Sequence, residues 1–259
     1  MSTEKTALLL IVFGTAVTRA EKAYRLLESR ICAAYPGLPF LTAYCSSRVI
    51  RKLRDSGRNV PNVEEALERF SAEGVQKVLA FPAFLAMGEE FAGIECLLSG
   101  WERKMKIVYP LPPLANPETL RRFVSALART LPERFEAGCG LLFMGHGHED
   151  GRTDFAYTAL ERELQKRISG VFVACVEGSL TLENAIRRMK DAGIRHVTLR
   201  PLMIVAGDHA VNDLAGAEED SWKSRLAASG FSTDEELKGL CEYQEIADFF
   251  AEGLKNETR

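Results

Sequence analysis

The chain has 259 residues and a formal net charge of −3 at pH 7. This length allows one large α/β domain or two small ones, each able to bury its own core. The near-neutral charge argues against a dedicated nucleic-acid-binding protein, which usually carries a basic surplus. The sequence has no P-loop, no GxGxxG motif after a strand and no GxSxG elbow. Nucleotide, nicotinamide and serine-hydrolase chemistry are therefore disfavoured.

The cysteines and the N-terminal segment indicate the compartment. None of the six cysteines lies in a CxxC pair, so we predict reduced thiols and neither disulfides nor a zinc knuckle. The apolar segment 7–12 is too short to cross a membrane. Arg19, Glu21 and Lys22 follow it, where a signal peptide would carry small uncharged residues. We expect a cytoplasmic protein with no membrane partner, which disfavours a periplasmic-type binding protein.

Buried strands alternate with amphipathic helices along the first half of the chain. The pattern predicts, in order, a strand at 8–13, a helix at 18–34, a strand at 39–44, helices at 49–53 and 63–73, and a strand at 75–81. Such alternation is typical of right-handed βαβ crossovers and a mainly parallel sheet covered on both faces.

The second half repeats the alternation. It predicts a strand at 141–144, a helix at 153–168, a strand at 171–176, a helix at 181–192 and a strand at 197–205. The segment 233–252 is an apolar helical stretch that has either half of the chain, or a second subunit in a homo-oligomer, as its packing partner.

The two halves are related by an internal repeat. Three pairs keep the same spacing of 119 residues, and they are Gly74/Gly193, Pro82/Pro201 and Gly88/Gly207. Each copy is a helix ended by glycine, then a strand, a proline, an apolar run and a second glycine. The alternative is the general likeness of any two helix–glycine–strand units. We predict an α/β fold of two similar lobes, 1–130 and 131–259, with a ligand cleft at the carboxyl ends of the strands.

Three ionisable residues follow strands of the second lobe. His146 lies between two glycines after the strand at 141–144, and Glu177 follows the strand at 171–176. His209 follows the predicted strand at 197–205. Two imidazoles and a carboxylate at one sheet edge suit a divalent first-row metal, whereas the alternative for His146 is a turn or capping role. We expect His148 to face solvent or support the site, and His196 to lie at the surface.

The repeat places Glu90 of the first lobe at the position of His209 in the second. A carboxylate there is suited to accept protons from a pyrrole nitrogen or to relay a metal ion. The alternative is an exposed helix N-terminus, where Glu89 and Glu90 interact favourably with the helix dipole. Apolar residues near the same edge suit either the walls of a macrocycle site or the core, and they are Phe13, Phe84, Leu85, Met87, Met203 and Ile204.

At these positions the sequence resembles the anaerobic cobalt chelatases, which make cobalt-sirohydrochlorin for vitamin B12 and belong to the ATP-independent tetrapyrrole chelatases. The most specific match is the run PLMIVAGDHAVNDLAGAEEDSWK at 201–223. Shorter matches are FGT at 13–15, SRVIRKL at 47–53, GEEF at 88–91, FMGHG at 143–147 and VEG at 176–178. Departures are Ala16 in place of an expected serine, His148-Glu149-Asp150 after the GHG motif, and Cys241 in place of an expected glycine.

The resemblance implies metal ligation by His146, Glu177 and His209, and a functional carboxylate at Glu90 or Glu89. It implies Co²⁺ as the substrate metal, sirohydrochlorin as the organic substrate, and no organic cofactor. The expected catalytic residues are His146 and Glu90. The expected substrate contacts are Phe13, Thr15, Phe84, Leu85, Glu89 and Met203. Since protonated imidazole does not bind metals, insertion is expected to fail at low pH.

The residue types leave two alternatives open. Imidazole and carboxylate also suit Fe²⁺, Ni²⁺ or Zn²⁺, so an iron or nickel chelatase for a related tetrapyrrole remains an alternative. The other is a non-catalytic tetrapyrrole or metal carrier with the same cleft.

Overall fold

Two four-stranded parallel sheets of the same topology form the frame of the computed structural model, which describes residues 4–256. The first sheet has the order β2-β1-β3-β4, with β1 at Thr6–Val12, β2 at Phe40–Tyr44, β3 at Lys77–Pro82 and β4 at Lys106–Val108. The second has the order β6-β5-β7-β8, with β5 at Cys139–Gly145, β6 at Val171–Cys175, β7 at His196–Pro201 and β8 at Ser232–Glu235. The prediction of two similar α/β lobes is confirmed.

Helices cover both faces of each sheet. They are α1 (Glu21–Ala34), α2 (Ser47–Asp55), α3 (Val63–Ala72), α4 (Glu89–Trp101), α5 (Pro117–Ala128), α6 (Asp154–Gln165), α7 (Leu182–Asp191), α8 (Trp222–Ala228) and α9 (Gln244–Ala251). Helices α3 and α5 begin with capping boxes at Asn62 and Asn116, whose side chains accept backbone N–H bonds. Among the described residues, no helix combines the length and apolarity that a membrane crossing needs.

The central strands are continuously apolar because both faces of each sheet are buried. In β1, Leu8 and Leu10 point into one core cluster, and Leu9 and Ile11 point into another. The first of these clusters continues into the second half of the chain at Phe143. The two sheets therefore share a core.

A buried arginine of β7, Arg200, contacts the segment that joins the two halves of the chain. Arg200 donates hydrogen bonds to the carbonyl and hydroxyl oxygens of Thr130, each at 3.1 Å. Its guanidinium also stacks on Tyr243, 3.9 Å from the ring centre. The predicted boundary at residue 130 lies between the two sheets and stays a prediction.

The C-terminal segment differs from its prediction. A helix over all of 233–252 is wrong, because Ser232–Glu235 forms β8 and pairs in parallel with β7. Only Gln244–Ala251 is α-helical, and this helix packs on α1 and α5 of the first half, with an Arg30–Asp248 ion pair at 3.2 Å. The strand predicted at 197–205 ends at Pro201, so the chain leaves the sheet before it reaches His209.

Candidate metal centre

His146 is placed by a tight turn after β5. The following Gly147 has a φ of +79°, and a Cβ on it would lie 2.0 Å from the carbonyl oxygen of Glu177. Only glycine allows this close approach of the two backbones. The N–H of Glu177 in turn donates to the carbonyl oxygen of His146 at 2.9 Å. The turn after β5 and the turn after β6 are thereby joined, which brings His146 and Glu177 together.

His209 reaches the same place by a loop. It caps a short π-helical segment, Ala210–Leu214, a type of structure that is frequent at functional sites. The imidazole rings of His146 and His209 are 5.0 Å apart between centroids. The Nδ1 atom of His146 is 3.8 Å from Oε2 of Glu177. The structure therefore brings together the three side chains that the sequence singled out.

The side chains of His146, Glu177 and His209 are near each other, but they do not surround one point at metal–ligand distance. Among residues 4–256, no three His, Cys, Asp or Glu side chains form a group that encloses a metal ion. Nitrogen and oxygen ligands 2.0–2.2 Å from a tetrahedral ion stand roughly 3.4 Å from each other. The 3.8 Å between His146 and Glu177 exceeds this by a few tenths of an ångström, so a small side-chain rotation suffices. The ligand set itself stays a prediction.

Asp213 contacts His209 and was not singled out by the sequence reasoning. Its Oδ2 atom is hydrogen-bonded to Nδ1 of His209. A carboxylate on one imidazole nitrogen fixes the tautomer and leaves the other nitrogen free to bind a metal. The signal was present in the sequence, because a spacing of four residues places two side chains on one face of a helical segment.

The first half of the chain carries different residues at the equivalent positions. The N–H of Ser46 donates to the carbonyl oxygen of Phe13 at 3.1 Å, the same bond that joins Glu177 to His146. Phe13 thus corresponds to His146, and Ser46 corresponds to Glu177. The repeat pairs Glu90 with His209. The first half therefore offers one carboxylate where the second offers two imidazoles and a carboxylate.

The two carboxylates at the start of α4 have different surroundings. Glu89 is exposed, and its Oε2 is 3.6 Å from Nε2 of His148 in the other half. Glu90 lies close enough to affect Tyr157, whose pKa is raised by burial and further by this carboxylate. Tyr157 in turn interacts with the backbone N–H groups of Gly147 and His146. Glu90 is thus within electrostatic reach of the turn that carries His146.

The other two histidines have protein partners. His148 is mostly buried, and its Nδ1 is 2.9 Å from Oδ1 of Asp150. His196 lies at the opposite end of the second sheet, with its ring nitrogens bonded to Ser232 at 2.9 Å and Asp234 at 3.1 Å.

The predicted substrate contacts divide into exposed and buried residues. Phe13 and Met87 expose 45% and 44% of their surface, which is unusual for large apolar side chains. Leu85 and Thr15 are buried, and Thr15 lies beside Gly207 of the other half. The rest are partly buried, and they are Phe84, Met203 and Ile204.

Two cysteines lie at the carboxyl ends of strands, since Cys45 follows β2 and Cys175 ends β6 two residues before Glu177. Burial raises the pKa of Cys45 to about 12, with a further contribution from Glu90. Burial likewise raises the pKa of Cys175 to about 12. All six cysteines are free thiols.

Two equivalent parallel sheets with imidazole and carboxylate groups at their facing edges define a chelatase-type α/β protein. The fold is that of SirB from Bacillus subtilis, solved with Fe³⁺, with a TM-score of 0.65 at 14% identity over 97% of this chain and 95% of that one. CbiX, described as the terminal enzyme for biosynthesis of siroheme in denitrifying bacteria, gives a TM-score of 0.54 at 15% identity over 97% and 98%.

The sequence pattern of the cobalt chelatase (CbiK) family matches residues 6–259, so the chain belongs to that family. The sirohydrochlorin cobaltochelatase of Salmonella typhimurium is 30% identical over 260 residues, 96% of this chain and 95% of that one. The sirohydrochlorin cobaltochelatase CbiKC of Nitratidesulfovibrio vulgaris is 28% identical over 253 residues, 96% and 89% of the two chains.

Proposed function

We propose that this chain inserts Co²⁺ into sirohydrochlorin, without ATP, in anaerobic cobalamin biosynthesis. Family membership supports the reaction class, and the activity for which both relatives are named supports the substrate pair. The observation that carries the proposal is the meeting of His146, Glu177 and His209 at one sheet edge. The absence of a P-loop from the sequence agrees with a reaction that uses no nucleotide.

In this proposal the second half of the chain holds the incoming ion. Neutral imidazole nitrogens of His146 and His209 and the Glu177 carboxylate replace part of its water shell. The ion keeps open positions, through which a pyrrole nitrogen of the macrocycle attacks. The turns after β5 and β6 are joined by a backbone hydrogen bond, so the ligands are presented with little further ordering.

The first half contributes the base and an apolar surface. Each pyrrole N–H that the metal replaces releases a proton, which must leave the ring as the metal–nitrogen bond forms. Glu90 accepts such a proton, and an imidazole accepts one as the ion leaves it. The exposed faces of Phe13 and Met87 are suited to contact the flat ring.

The choice of metal follows from the family and not from the ligand types. Imidazole and carboxylate ligands bind Fe²⁺, Ni²⁺ and Zn²⁺ as well as Co²⁺, and cellular supply often decides among them. Co²⁺ is proposed on the strength of the family.

The six free cysteines are consistent with the reducing interior of a cell, where the protein would meet its tetrapyrrole substrate.

Mixing purified protein with sirohydrochlorin and Co²⁺ tests the proposal. Visible absorption follows the metallated ring, and the rate without protein is subtracted. We expect many equivalents of product per chain. In parallel reactions with Fe²⁺, Ni²⁺ and Zn²⁺, we expect lower insertion rates than with Co²⁺. A single stoichiometric change would indicate a carrier, and faster use of Fe²⁺ or Ni²⁺ would replace the assigned metal.

A further inference from the structure

The turn that follows Glu177 is held by a carboxylate from another element. Asp154 is the first residue of α6, and its Oδ2 accepts a hydrogen bond from the backbone N–H of Ser179 at 2.8 Å. The same oxygen accepts a second bond from the Ser179 hydroxyl at 2.5 Å. Ser179 is two residues beyond Glu177, so these bonds hold the end of the turn that follows Glu177.

The rest of the Asp154 side chain also lies against this turn. Gly178 has a φ of +94°, and a Cβ on it would lie 2.6 Å from Oδ1 of Asp154. That oxygen is buried and has no hydrogen-bond partner within the described part of the chain. The carboxylate is therefore packed onto the turn 177–179.

The first half of the chain shows that the fold does not require this arrangement. Phe13 and His146 are equivalent and differ by 133 positions, and the same difference relates Glu21 to Asp154. Glu21 also begins its helix, but its carboxylate pairs with Arg58 and Arg25. The equivalent turn at Ser46 carries no metal-binding side chain. Of the two equivalent turns, the one at Glu177 is therefore the one that a carboxylate from the preceding helix contacts.

We infer that Asp154, acting through Ser179, is a positioning residue that holds Glu177 in place for the metal. This inference rests on the proposed function, because it takes Glu177 to be a ligand. Hydrogen-bonded supports of this kind commonly contribute 10–100-fold to metal affinity. Asp154 itself does not touch the ion.

Four single variants and one double variant of the full-length chain test the inference by Co²⁺ titration without tetrapyrrole. Asp154→Ala removes both hydrogen bonds, and we expect Co²⁺ to bind about 10–100-fold more weakly. Asp154→Asn keeps an oxygen for Ser179, so its affinity stays within about threefold of the parent. Ser179→Ala weakens binding by less than Asp154→Ala, and the double variant is no weaker than Asp154→Ala because the two residues act together. Glu21→Gln is the matched control and leaves Co²⁺ affinity unchanged.

A second readout separates positioning from a general structural role. In the insertion assay, Asp154→Ala is expected to raise KM for Co²⁺ and to leave KM for sirohydrochlorin unchanged. A folded Asp154→Ala with parental Co²⁺ affinity overturns the inference. Equal weakening in Asp154→Asn and Asp154→Ala also overturns it, because the charge at the helix N-terminus would then be the cause. Should Asp154→Ala not fold, Asp154→Asn and Ser179→Ala decide the matter, and parental affinity in Ser179→Ala overturns the inference.

Glu177→Ala distinguishes this inference from the function beneath it. Weak Co²⁺ binding in Glu177→Ala with parental binding in Asp154→Ala removes only the positioning role. Parental binding in Glu177→Ala removes Glu177 from the metal site, and the positioning role with it. Insertion activity in the parent protein is measured separately and tests the proposed reaction.

Discussion

The imidazole rings of His146 and His209 meet edge to face, with centroids 5.0 Å apart and planes inclined at 84°. They come from different loops, one directly after β5 and one after a longer excursion beyond β7. Both rings remain partly exposed, so neither is needed to fill the core. Because packing does not require these two rings to meet, we keep them as the proposed metal ligands.

Replacement of either ring is the first prediction. His146→Ala and His209→Ala are each expected to lower Co²⁺ insertion by about 10²–10⁴-fold, because a ligand and a proton acceptor are lost together. Circular dichroism and the thermal midpoint should stay near parental values. His196→Ala is the control, since its ring is bonded to Ser232 and Asp234 at the far end of the second sheet. Near-parental rates in both site variants would remove these histidines from the mechanism.

Asp213 supports the second prediction. Its carboxylate is hydrogen-bonded to Nδ1 of His209, so the other ring nitrogen is left free for the proposed metal ligation. Asp213→Ala is expected to weaken Co²⁺ binding by about 10–100-fold in a titration of the protein alone. Asp191→Ala, at the exposed end of α7, removes an equal charge and should have no effect. Unchanged binding in Asp213→Ala would show that the orientation of His209 is set by other contacts.

Glu90 is expected to act on turnover and not on metal binding. Glu90→Gln keeps the size of the side chain but cannot accept a proton, so kcat should fall by about 10²-fold while Co²⁺ affinity is unchanged. Steady-state insertion rates and a separate Co²⁺ titration measure the two quantities. Glu102→Gln, at the other end of α4, is the control.

Glu89→Gln resolves which of the two neighbouring carboxylates carries the proton. Both carboxylates are exposed, with Glu89 beside His148 and Glu90 within electrostatic reach of the buried Tyr157, whose pKa is raised mainly by burial. We therefore expect a smaller loss of kcat in Glu89→Gln than in Glu90→Gln. A larger loss would assign the proton acceptor to Glu89.

The frame was predictable because its signals are local. Buried parallel strands read as unbroken apolar runs, and glycines and prolines mark where the elements end, so β1, β3, β5 and β6 were found close to their observed bounds. The helix predicted at 233–252 is wrong because a polar strand begins the segment, and its apolar residues then belong to a loop, a short 3-10 turn and a short helix. Pairing with β7 decides that Ser232–Glu235 is a strand, and such pairing leaves no periodic signal in a short segment.

The site was predictable only in part. The rule that ligands gather at the carboxyl ends of parallel strands placed His146 and Glu177 together. The same rule also put His209 beside His146, where the structure has it. The predicted route differs, since β7 ends at Pro201 and a loop carries His209 to this place. The bonds from Asp154 to Ser179 join residues 25 positions apart in sequence, so no spacing rule indicates them.

Two buried or partly buried thiols supply the last prediction. Cys175 ends β6, two residues before Glu177, and Cys45 follows β2, but only a thiolate binds a metal or reacts with an alkylating agent. A rise in pKa from 9.0 to about 12 lowers the thiolate fraction near neutral pH about a thousandfold. Iodoacetamide at pH 7.5 should therefore modify the exposed Cys96 before Cys45 or Cys175 and leave Co²⁺ insertion intact. Mass spectrometry of the labelled chain identifies the modified residues. Rapid labelling of Cys175 that Co²⁺ prevents would instead make this thiol a metal ligand, and Cys175→Ala would then have to lose Co²⁺ affinity as well.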